Sequence, residues 1–425
     1  MSSPPAEQAE LEAILADGSL RSIYQPIVEL ERGATVAYEA LVRGPAGSAL
    51  ERPDQLFSVA RSAGRLADLD WASRGAGVTG ALAAGLTPPG MLFLNVEPEA
   101  LGTPCPEPLA GAWARAAKEL TVTVEITERA LTARPAELLA ALRKMRDRGW
   151  GVALDDVGAD TRSLGLMPLL RPDVIKLDLR LVQEQPTAEI AAIVNAVNAQ
   201  RERTGSVILA EGIETDRQLQ TARAMGATLG QGWLFGRPAP LPSPLPVAPP
   251  PVPVADRSLH LDGGTPYRVV RAVRDVRRGD KRLLIALSKL LEQQAASLGA
   301  EAVIVAAFQT AERFTPATHR RYAALASRAA FVCALGVGMA PEPAPGVRGA
   351  ELGPDDPLLG EWSVAVLGPH FAAALVAVDL GADGPDLERE FDFTLTYDRD
   401  LVIEATNSLM GRVLRLAEAE SIPAA

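Results

Sequence analysis

The chain reads as a TIM-like (β/α)8 barrel followed by a smaller mixed α/β domain. Three observations predict this. Short apolar runs alternate with helical patterns for about 220 residues, the rhythm of parallel strands joined by crossover helices. Carboxylates and amides recur at the C-terminal ends of those runs, where barrels of this kind carry their working groups. Residues 238–254, PAPLPSPLPVAPPPVPV, then place nine prolines together and end the alternation.

Taken in order, residues 1–18 form an acidic, Ala-rich arm with a short helix. Residues 22–30 (SIYQPIVEL) and 35–43 (TVAYEALVR) are β-rich runs joined by Glu31-Arg32-Gly33, a hairpin signal. Helical patterns cover 53–64 and 66–86, and residues 91–96 (MLFLNV) make a strand ending near Asn95. A helix near 109–120 leads into a strand at 122–126, which puts Glu125 at its end. Residues 135–148 read as a helix. The stretch 151–178, GVALDDVGADTRSLGLMPLLRPDVIKLD, holds two strands, one delivering Asp155 and Asp156 and the other carrying Lys176. Helices at 187–203 and 215–225 alternate with strands at 207–211 and 228–231.

Two adjacent carboxylates at the end of a buried strand are costly unless a cation neutralises them. A helix N-cap explains one Asp but not a pair with further acids on other strands. Glu39, Asn95, Glu125, Asp155, Asp156, Lys176, Glu211 and Gln231 all fall at or near strand ends. The three histidines, His260, His319 and His370, lie in the second half. A metal in the barrel is therefore held by oxygen ligands, which favours Mg²⁺ or Mn²⁺.

The proline-rich stretch cannot be a helix or a central strand; at about 3.1 Å per residue it spans up to 50 Å as an extended spacer. Beyond it, helices are expected at 281–298, 318–330 and 401–417, with strands at 302–308, 331–336, 362–367, 372–380 and 391–396. This outlines domains at 19–240 and 257–420, the arm before them and a linker at 241–256.

A net charge of -11 with no dense Lys/Arg tract argues against a nucleic-acid binder. No run approaches the ~18 apolar residues of a membrane span, and the first residues lack a secretory pattern. Cys105 and Cys333 have no metal-ligand spacing, and a reducing cytoplasm is the expected location.

Seven motifs in order make residues 19–240 resemble the EAL-domain family of cyclic-di-GMP phosphodiesterases. They are YEALVRG with Glu39-Ala40-Leu41, LNVEP at Asn95, VEITER at 124–129, LDDVG at Asp155-Asp156, IKLD at Lys176, AEGIET at Glu211 and QGWLFGRP at Gln231. The resemblance implies hydrolysis of cyclic di-GMP to linear pGpG with two Mg²⁺ or Mn²⁺ ions per active site, of the kind that clamp an in-line displacement. It assigns Glu39, Asn95, Glu125, Asp155 and Asp156 to the metals, Asp155 bridging them. Lys176 orients the nucleophilic water and Glu211 assists. Glu128 ties down the loop after Asp156, and Glu214 supports the Lys176 region. Substrate contacts fall to Gln25, Leu41, Arg43, Asp178 and Gln231, with Arg43 suited to grip a phosphate. A homodimer through the barrel is also implied.

One loop departs from the family pattern: Val157 stands for an aromatic residue, Asp160 for a glycine and Thr161 for a tyrosine. That departure motivates an alternative, a receptor that holds cyclic di-GMP without cutting it. The second half resembles the DICT sensory domain through SKLLE at 288–292, Phe308-Gln309, Phe314-Thr315-Pro316, Arg321-Tyr322 and Phe331-Val332. It implies a regulatory role towards an unknown signal or protein partner.

Overall fold

The computed structural model describes residues 5–246, 264–381 and 385–414. They fall into two compact units, one of residues 5–130, 141–159 and 171–246, the other of 131–140, 160–170, 264–381 and 385–414. Most of the expected linker, and His260, lie outside the described residues.

Eight strands close the barrel in chain order: β1 (Arg21–Glu29), β2 (Ala34–Arg43), β3 (Met91–Asn95), β4 (Thr121–Ile126), β5 (Gly151–Val157), β6 (Val174–Leu177), β7 (Val207–Ala210) and β8 (Leu229–Gly230). From β2 to β8 each strand runs parallel to the next. The first strand runs against both of its partners, as the hairpin signal requires, pairing Gln25 with Glu39 and Val28 with Gly230. Ile27, Met91, Phe93, Ala153, Val174 and Leu209 interlock as a buried layer. That packed interior leaves strand ends as the place for polar groups.

Local signals set the helix boundaries. Thr187 accepts from the Ile190 N–H to start Ala188–Thr204, which Gly205 ends at φ +68. Thr215 and Gln218 form a reciprocal capping box at Asp216–Ala224. The N-terminal arm is a helix, Pro5–Asp17, whose Leu11 and Ile14 are buried with Leu50, Leu56 and Leu69.

In the second unit a seven-stranded sheet runs β12 (Arg348–Glu351), β11 (Phe331–Val337), β10 (Val303–Thr310), β13 (Glu361–Leu367), β14 (Ala372–Asp379), β15 (Glu390–Thr396), β9 (Arg277–Asp280). The helix Lys281–Leu298 starts at its Asp280 cap. The helix expected at 318–330 occupies Pro316–Ala326 instead, because Thr315 accepts from the Thr318 N–H and Pro316 sits at the first turn. The helix expected at 401–417 is Arg399–Met410, capped by Asp398. Among the described residues no helix is long and apolar enough to cross a membrane.

Candidate active site

The strand ends of the barrel bring one lysine into a ring of acids. Lys176 on β6 is 1 % exposed. Its Nζ lies 2.7 Å from Glu125 Oε1, 2.9 Å from Glu211 Oε1, 3.0 Å from Asp155 Oδ1 and 3.9 Å from Glu39 Oε2. Those acids come from β4, from the residue after β7, from β5 and from β2. Glu39 is fixed by two amides: Asn95 Nδ2 donates to its Oε1 at 3.0 Å and Gln231 Nε2 to its Oε2 at 2.7 Å.

The β5–β6 ladder shifts register between Leu154 and Val157. The residues inside that irregularity are Asp155 and Asp156, so the bulge sets the direction of both carboxylates. Asp156 takes a left-handed φ of +56, which Asp tolerates better than most residues, and its N–H donates to Asp155 Oδ1 at 3.0 Å. Val157 is fully buried and pairs with Leu177.

The electrostatics follow from burial among like charges. Burial, with Glu39 alongside, pushes the Glu125 carboxyl well above the usual range. Burial also raises Glu211 to about 7 despite Lys176, and raises Asp156, with Asp155 adding to the effect. For Glu39 burial is outweighed by Lys176 and the amide hydrogen bonds, and its pKa falls. Burial opposes the charge of Lys176, but Asp155, Glu125, Glu211 and Glu39 together hold its pKa well above the ordinary lysine value. Lys176 is thus a fixed cation.

The remaining predicted residues divide into two groups. Leu41 and Arg43 share the Glu39 face of β2 by strand alternation, and the Arg43 guanidinium donates to its neighbour's Val42 carbonyl at 2.7 Å. Gln25 faces Glu39 across the hairpin and donates to the Gly236 carbonyl at 3.3 Å. Asp178 caps the helix Leu179–Gln183 by accepting from the Arg180 N–H at 2.9 Å. Glu214 is exposed and is not among the groups that contact Lys176. Glu128 opens the helix Glu128–Ala133, and its side chain lies outside the described residues. Sequence reasoning missed Arg180. Its guanidinium donates to the carbonyls of Gly158 at 2.9 Å and Ala159 at 3.2 Å, holding the loop that follows Asp156.

The donor set fits a hard divalent cation. Asp155, Asp156 and Glu211 each bring one carboxylate oxygen within 4.8 Å of the others. Glu125 Oε2 is buried without a hydrogen-bond partner, a cost that ligation removes. All these ligands are oxygens.

A family model described as the EAL domain matches residues 8–238, more than half of the chain. The chain belongs to the EAL-domain family. A second model, "Sensory domain in DIguanylate Cyclases and Two-component system" (DICT), matches residues 273–380. The EAL part is similar to the cyclic di-GMP phosphodiesterase RocR of Pseudomonas aeruginosa, 32% identical over 248 residues, which cover 55% of this chain and 62% of that one. It is also similar to the cyclic di-GMP phosphodiesterase NbdA of the same organism, 29% identical over 55% of this chain and 31% of the relative. The chain thus spans less than two thirds of these relatives. A solved structure of Klebsiella pneumoniae BlrP1 with manganese and cyclic di-GMP is 28% identical, with a TM-score of 0.46 over 52% of this chain and 56% of that one.

Proposed function

We propose that this EAL domain hydrolyses cyclic di-GMP to linear pGpG with divalent cations at its acidic mouth. The observation that carries the reading is the convergence of Glu125, Asp155 and Glu211 within 3.0 Å of Lys176 Nζ. Family membership and the similarity to two named cyclic di-GMP phosphodiesterases support the substrate. A cyclic dinucleotide is a dianion, which a ring of carboxylates repels unless cations lie between them.

Two Mg²⁺ or Mn²⁺ ions, when bound, supply charge neutralisation at phosphorus and activation of a water. Glu39, Asn95, Glu125, Asp155 and Asp156 are assigned as their ligands. Lys176, held cationic by its neighbours, donates to the attacking water and orients it. Glu211, 2.9 Å from that ammonium, takes the proton the water gives up. Arg43 grips a phosphate from the Glu39 face of β2, while Gln25, Leu41, Asp178 and Gln231 border the substrate. Glu128 and Arg180 steady the loop after Asp156, and Glu214 supports the region from the surface.

The test is a turnover assay of the purified full-length chain with cyclic di-GMP and Mn²⁺ or Mg²⁺, separating substrate from pGpG. The expected result is pGpG formation that a chelator stops. Asp155→Asn is expected to lose at least about 10²–10³ of the rate, the scale of removing one preorganised electrostatic group. Tight binding with no pGpG formed overturns the reading in favour of a receptor.

In the same reading, residues 19–240 are the catalytic domain and 257–420, beyond the linker at 241–256, regulate it in response to a signal. The protein acts in the cytoplasm, as a dimer formed through the barrel.

A further inference from the structure

The C-terminal unit contains a cavity of about 1030 Å³ between the helices Lys281–Leu298 and Pro316–Ala326 and one face of the sheet. Pockets for drug-sized ligands run to about 1,000 Å³. Three features of its lining say what fits. Phe308, Trp362 and Phe391 supply aromatic surface, the last two edge to face at 5.8 Å. Flat rings are the partners such surfaces take best.

Ser288, 5 % exposed, presents an Oγ that is buried without a hydrogen-bond partner. It is the one such side-chain atom among the described residues lining the cavity. With that atom shielded, Ser288 forms part of the cavity wall. On the sheet side of the lining, Gln309 takes a left-handed φ of +65 at the register shift between Ala307 and Thr310. A bulge of this kind re-aims side chains and is common beside binding sites.

The charge at the rim is unbalanced. Lys281 Nζ, Arg313 and Arg389 converge on the single carboxylate of Asp386, at 2.5, 3.1 and 3.5 Å. Arg389 also pairs with Asp379, and over the whole lining five cations, Lys281, Lys289, Arg313, Arg321 and Arg389, face four acids, Glu292, Glu312, Asp379 and Asp386. The Lys281 side chain is only 12 % exposed, whereas that of Asp386 is 60 % exposed. Elsewhere in the lining, Glu292 and Arg321 pair at 2.6 Å. An anionic ligand group can share or displace the exposed carboxylate, while a cationic one meets three like charges.

We propose that this cavity binds a flat aromatic anion, with its rings against Phe308, Trp362 and Phe391 and its charge at Lys281 and Arg313. A carboxylate, sulfonate or phosphate supplies the same chemistry there. Nothing in this assignment depends on turnover in the barrel, and its test reads binding alone.

Two fluorescent dyes of one skeleton decide it: anilinonaphthalene sulfonate, which carries an anion, and phenylnaphthylamine, which does not. Titrated into the full-length protein, the sulfonate is expected to saturate at one site per chain. Its affinity should exceed that of the neutral dye by about tenfold or more, the size of one charge-assisted hydrogen bond. The double variant Lys281→Gln/Arg313→Gln should remove that preference while leaving the neutral dye bound. Ser288→Phe, which adds a bulky ring to the cavity wall, should weaken the binding of both dyes. Melting curves accompany each variant. If Ser288→Phe does not fold, the charge variants, altered at the rim, still decide. Equal affinity for the two dyes, or a sulfonate preference that survives the double variant, overturns the proposal.

Discussion

Lys176 is the most constrained residue of the barrel, a buried cation among four carboxylates. Its removal leaves those acids facing one another, and breaking a buried ion pair costs about 3–5 kcal/mol. Lys176→Ala is therefore expected to lose turnover and to melt well below the parent in chelator. Added Mn²⁺ should recover part of the melting temperature and none of the rate. A second titratable residue sits in the other unit. Glu361 is buried, accepts the Tyr267 N–H at 3.0 Å, and is pushed by burial from 4.5 to about 7. Between those values the folded unit keeps a proton that the unfolded chain has released. Its stabilisation is complete below about pH 4.5 and is lost as pH rises through about 7, a few kcal/mol at most. Melting temperatures at about pH 5 and about pH 8 should differ less in Glu361→Gln than in the parent. Most of the acids and amides that gather at the mouth were legible in the sequence because they sit at the end of an apolar run, whereas Glu39 lies inside one, within Ala34–Arg43. Arg180 was not: an arginine two residues after an aspartate reads as a surface pair, and its hold on Gly158 and Ala159 depends on a turn in space.

At the scale of elements, the loop after β5 decides how Asp156 is presented. Gly158 sits at φ +100, and a Cβ there would meet Leu181 Cδ1 at 2.7 Å. Gly158→Ala should cost about 1–3 kcal/mol locally, read as a lowered melting temperature. On the proposed reading, Arg180→Ala should lower the rate by about ten- to hundredfold, the effect of misplacing a catalytic group, with the melting temperature nearly unchanged. The apolar strands of both units were legible because buried parallel and central strands are written as short apolar runs. β9, with the sequence RRGD, and β12, with RGAE, were not. Both lie at the ends of the sheet, where one set of backbone hydrogen bonds suffices and side chains need not be apolar. β8, expected over 228–231, is shorter than that, since just Leu229 and Gly230 pair.

At the scale of the whole molecule, a net charge of -11 gives divalent cations a favourable field well beyond the ligands themselves. On the proposed reading Mn²⁺ stabilises by mass action, by about 2.7 kcal/mol at a hundredfold excess over its dissociation constant. Calorimetry of the full-length chain with and without chelator checks this, and no shift on adding metal would count against a metal centre. The reversed first strand has a further consequence, in the order of assembly. β1 can pair with β2 as soon as the hairpin exists, but its other edge waits for Val28 to meet Gly230 and for Tyr24 to meet Ala239. Roughly 200 residues of chain must be in place first, so closure is a slow, non-local event. Until then the sheet has two open edges, and a nascent chain halted short of residue 230 remains a template for other strands.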